Sequence, residues 1–146
     1  MVAQKIILPS ITATSIMTLF SYLIAEEEKK NFSESKLLGK IEKKQLHIPK
    51  QFALSAGWAT HYAVGIMMTL LFEMYKLCVN KKPAVYHTIA YGTLAGFLAI
   101  GAWSRLLKML PKRSGNYYKK FYLQLFFAHL IFAASLTAAQ KATKHF

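Results

Sequence analysis

Gln51 to Asn80 reads QFALSAGWATHYAVGIMMTLLFEMYKLCVN, and this stretch decides the fold. From Phe52 through Phe72 it carries no charge, and 21 helical residues rise about 31 Å, the depth of one bilayer core. Gly57, His61, Gly65, Thr69 and Glu73 recur every four residues along it. That spacing puts small and polar groups on one slowly drifting helix face. In lipid such a face must meet protein, because an exposed His or Glu is expensive there.

Three further stretches repeat the pattern. Ile6 to Ala25 is an uncharged run of 20 residues with a small-residue ridge at Ser10, Thr14 and Thr18. Lys5 before an apolar run resembles a signal peptide, but the run is long for one and Leu23 is a poor small-residue match, so a retained span is expected. Pro9 falls in the first turn, where its missing N–H costs little. Ala84 to Leu107 carries Gly92 and Gly96 as a G-x-x-x-G pair, read as a contact beside the ridge of the second span. Phe121 to Gln140 carries His129, Ala133 and Thr137 at four-residue spacing, with Tyr117, Tyr118 and Tyr122 at its headgroup end. The expected fold is all-α, a single domain over residues 1–146 forming an integral membrane four-helix bundle with spans at 6–25, 52–79, 84–107 and 121–140.

The polar loop 26–50 holds seven Lys and five Glu. Ser33 is placed to cap a short helix carrying Leu37, Leu38, Ile41 and Leu46, ended by Pro49; either an amphipathic surface helix or a solvated connector fits. Lys81-Lys82-Pro83 predicts a tight turn that makes the second and third spans antiparallel neighbours. Thirteen Lys and Arg fall on the face of the first and third loops and six on the other. The bias puts loops 26–50 and 108–120 in the cytoplasm and both termini outside.

A net charge of +13 raises nucleic acid as a partner, but the lysines lie between apolar runs, where anionic lipid headgroups account for them. The expected partner is therefore the bilayer, with a second copy or another membrane protein as a further one, and no nucleic acid. Cys78 is the only cysteine and there is no aspartate, which removes intrachain disulfides, CxxC sites and Ser-His-Asp triads. No HExxH or G-x-S-x-G occurs, so no enzyme is expected.

Depth counting brings out a buried polar set. His61 lies nine residues past Phe52 and His129 eight past Phe121, about 14 and 12 Å from one face, so the two imidazoles share a level. Either each satisfies itself against a hydroxyl across a helix interface, or they share a site. A shared site could hold haem, a quinone or a metal, or relay protons. No cofactor is the leading expectation, and those three are the alternatives. Glu73, the one acid inside an apolar run, is expected to pair with His87, with Tyr91 one turn on and Lys76 as its rival partner. Trp58 and Trp103 read as belt or packing residues, and Met67, Met68 and Met74 as filler.

TATSIMTLFSY in the first span, Thr60-His61 before an apolar run, and FFAHLIFA in the fourth make the chain similar to a group of small bacterial inner-membrane proteins. These have four spans and are largely uncharacterised, some being associated with acid resistance. The resemblance implies a bacterial cytoplasmic membrane location and recurrent intramembrane histidines at His61 and His129; it brings no reaction or ligand. The leading expectation is a structural or stress-tolerance membrane module. The alternatives are a haem, quinone or metal binding module, and a proton- or ion-conducting oligomer.

Overall fold

The computed structural model describes residues 3–79 and 85–143, and among them helix is the only regular secondary structure. After a π-helical turn at Ala3–Ile7 come α1 (Leu8–Glu27), α2 (Glu34–Gln45), α3 (Lys50–Val79), α4 (Val85–Leu106) and α5 (Gly115–Ala142), with a 3-10 turn at Leu107–Met109. Four helices, α1, α3, α4 and α5, are long and apolar enough to cross a membrane. The turn expected at Lys81-Lys82-Pro83 lies outside the described residues.

Each helix has a local cause. Pro9 stands at the start of α1, where no N–H is required. Lys29 and His47, both at positive φ, turn the chain back after α1 and α2. Ser114 caps α5 by accepting the Tyr117 N–H at 3.3 Å, so α5 begins six residues before the apolar run. Ser33 does occupy the N-cap of α2, but its hydroxyl meets Ser35 Oγ at 3.1 Å and caps no backbone N–H.

Packing differs from the sequence expectation in two places. First, the short helix expected after Ser33 forms as α2, and in place of a solvated connector it docks lengthwise on the start of α3. The docking depends on glycine. A Cβ on Gly57 would lie 2.1 Å from the Ser35 carbonyl oxygen, and one on Gly39 would lie 2.3 Å from that of Ala53. Leu37 and Ile41, on another face of α2, are buried in a cluster with Trp103, Leu107, Phe121 and Leu125, while Leu46 stays exposed.

Second, α3 and α4 barely touch. Gly65 meets Thr14 of α1, and Gly92 and Gly96 meet Ala133, Leu130 and Phe126 of α5. The glycine faces therefore join α3 to α1 and α4 to α5, not α3 to α4. The helices run in the order α3, α1, α5, α4, an arc whose two ends meet, among the described residues, where Met68, Phe72 and Tyr75 of α3 face His87 and Tyr91 of α4, with the Phe72 and Tyr91 rings 4.8 Å apart. Elsewhere the ends stand apart.

The loop ends of the bundle are held together. Lys120 pairs with Glu28, Tyr117 Oη donates to the Asn31 carbonyl at 2.7 Å, and Lys44 Nζ donates to that of Met109 at 2.8 Å. Residues 28–46 and 109–120 thus share one end, as the four-span count requires. Tyr117 is buried against Phe32 and Phe121.

Candidate functional site

The gap between α3 and α4 continues inward as a cavity of about 360 Å³. His61, Val64, Met67 and Met68 line it from α3, and Ala95, Leu98, Ala99 and Trp103 from α4. Behind them stand Thr14 and Met17 of α1 and Leu125, His129 and Phe132 of α5. Glu34 and Leu38 of α2 close the loop end. Met67 and Leu98, at the mouth, are 51% and 64% exposed, so the cavity opens sideways between the two helices.

Both histidines read from the sequence stand on this wall, each buried and each anchored separately. His61 Nε2 lies 2.9 Å from Thr18 Oγ1, and His129 Nδ1 lies 2.8 Å from the Leu125 carbonyl one turn back on its own helix. They do not bond each other. Both histidines line one cavity, and His61 has a hydroxyl partner across a helix interface.

The buried acid is Glu34, which the sequence reading passed over. It is 2% exposed, against 36% for the Glu73 side chain. Ser21 Oγ donates to Glu34 Oε1 at 3.1 Å and in turn accepts from Gln124 Nε2 at 2.5 Å. Glu34 Oε2, Gln124 Oε1 and Thr14 Oγ1 are buried without a hydrogen-bond partner among the described residues. Burial pushes the Glu34 carboxyl up to about 7 against these hydrogen bonds. Its only sequence signal was an acid flanked by Ser33 and Ser35 and followed by Leu37 and Leu38. Four other acids in the same loop hid it.

The expected Glu73–His87 pair is absent. Glu73 Oε1 accepts from Lys76 Nζ at 2.6 Å and from Gln140 Nε2 at 2.6 Å, while His87 Nδ1 meets Tyr75 Oη at 3.0 Å. The physical reason is helix face: Tyr75 presents the side of α3 that meets α4 and takes His87, whereas Glu73 turns towards Gln140 of α5 and Lys76 one turn along its own helix. Glu73 is therefore a rim residue and not part of the interior. Tyr91 and Thr69 are interior as expected, Tyr91 Oη donating to the Met68 carbonyl at 2.5 Å and Thr69 Oγ1 to that of Gly65 at 3.0 Å. Trp103 packs edge-on against Phe121 and also faces the cavity, whereas Trp58 stacks between Tyr22 and Tyr62.

As a metal centre the site is poorly furnished. Among the described residues no three His, Cys, Asp or Glu side chains are grouped to hold an ion. Axial ligation of haem by both histidines through Nε2 would displace the Thr18 bond of His61. What the arrangement offers is an apolar chamber with a few polar groups on one wall, the usual composition of a small-molecule site. Comparisons with protein-family models, curated proteins and solved structures give no match.

Proposed function

We propose that this chain is a multi-pass membrane protein that binds a small, lipid-soluble molecule in the chamber between α3 and α4, with His61 and His129 on its polar wall. The cavity carries the reading. Its mouth lies among apolar side chains that face outward on the candidate spanning helices, Leu98 of α4 and Met67 and Leu71 of α3. A lipid-dissolved ligand would enter there without crossing water. We read the function as binding, of the kind expected for the quinone alternative more than for haem or a metal. The resemblance to small four-span proteins and the thirteen-to-six charge bias support a bacterial cytoplasmic membrane, with loops 26–50 and 108–120 inside and the termini outside.

Extraction of the purified protein tests this. An amphiphile should leave it in roughly equimolar amount, and Ala99→Phe, which fills the chamber, should remove that molecule while the protein stays folded. Equal recovery from both proteins would refute the reading.

A further inference from the structure

The hydrogen bonds around the cavity fix which ring nitrogens carry protons. A carbonyl cannot donate, so His129 Nδ1 must carry the proton that bonds Leu125, and neutral His129 Nε2 is a bare lone pair. Thr18 has one hydroxyl proton, and it goes to the Thr14 carbonyl at 2.7 Å. Towards His61 Thr18 can then only accept, so His61 Nε2–H donates and His61 Nδ1 is the second bare lone pair. Neither nitrogen has a partner among the described hydrogen bonds. Glu34 Oε2 and Thr14 Oγ1 are two further unpartnered atoms, on residues that line the same chamber.

We infer that the chamber selects ligands whose polar head is a hydroxyl, alcohols or phenols, over ethers, ketones or cations of the same shape. This rests on the binding reading above. Two imidazole lone pairs demand a donor, which a carbonyl or an ether lacks. A hydroxyl donates to one of them and can still accept from, or donate to, Glu34 in whichever state that carboxyl holds. An ammonium head would also donate, but it would have to shed its water to enter an apolar chamber from lipid. A quinone would thus bind in its reduced, hydroxyl-bearing form.

The test uses Trp103, which faces the chamber, as the reporter in a Trp58→Phe protein in mild detergent. Decan-1-ol, its methyl ether and decylammonium are titrated against Trp103 emission. The alcohol should bind about tenfold tighter than the ether, the worth of one buried hydrogen bond left unmade. His129→Leu, or His61→Leu should the first fail to fold, should bring that ratio towards one. Equal affinities for alcohol and ether, or tighter binding of decylammonium, would overturn the hydroxyl inference and leave the chamber in place. No saturable change with any of the three would overturn both.

Discussion

Glu34 is the residue on which the interior turns. The folded chain keeps its proton up to about pH 7, whereas a free carboxyl releases it near 4.5. Between those values the folded state binds more protons than the unfolded one, so stability falls as pH rises from 4.5 to 7 and levels off above. The drop is about 3 kcal/mol at 1.36 kcal/mol for each unit. Glu34→Gln keeps a neutral group beside Ser21 and Gln124 and should lose this slope. Thermal unfolding in detergent at pH 5 and pH 8 checks it: the parent should lose several degrees between the two and the variant much less. Equal losses would mean that Glu34 is not buried as described. Sequence reasoning found His61 and His129 because rise per residue converts directly to depth in an uncharged span. It missed Glu34 because depth cannot be counted through a polar loop whose return path depends on tertiary packing.

At the scale of elements, the docking of α2 on α3 depends on closely approaching backbones. Gly57→Ala would press a methyl against the Ser35 carbonyl and the Gly39 backbone, which cannot swing aside as a side chain can. A cost of about 1–3 kcal/mol is expected, read as a lowered melting temperature. Gly101→Ala meets nothing within 4 Å and should be tolerated, since alanine is the better helix former. If both melt alike, the α2–α3 contact is misplaced. Four-residue spacing identified Gly57, Gly65, Gly92 and Gly96 as contact positions, but spacing alone does not name the partner helix. The Glu73–His87 expectation failed for that reason: the ridge carries Glu73 towards Gln140 of α5, and Tyr75 takes His87. A double-mutant cycle between Glu73→Gln and Gln140→Leu should show coupling of about 1 kcal/mol, and one between Glu73→Gln and His87→Gln should be additive. Coupling in the second cycle alone would restore the pairing read from the sequence.

At the scale of the molecule, the arc α3–α1–α5–α4 is a four-helix bundle left open along one seam. The four long apolar helices were legible in the sequence, since apolar run length is a local property. The seam was not, because it arises from which glycine faces found partners. Its existence carries the whole functional reading, and photolabelling with a lipophilic, carbene-generating diazirine in membranes tests it most directly. His129 is 8% exposed and faces the chamber, so the probe can reach it only through the seam. Adducts mapped by mass spectrometry should appear at His129 and Met68 as well as on the outward Leu94 and Phe127, and added decan-1-ol should suppress the first two alone. Labelling confined to Leu94, Phe127 and other outward residues, with none at His129, would contradict the account.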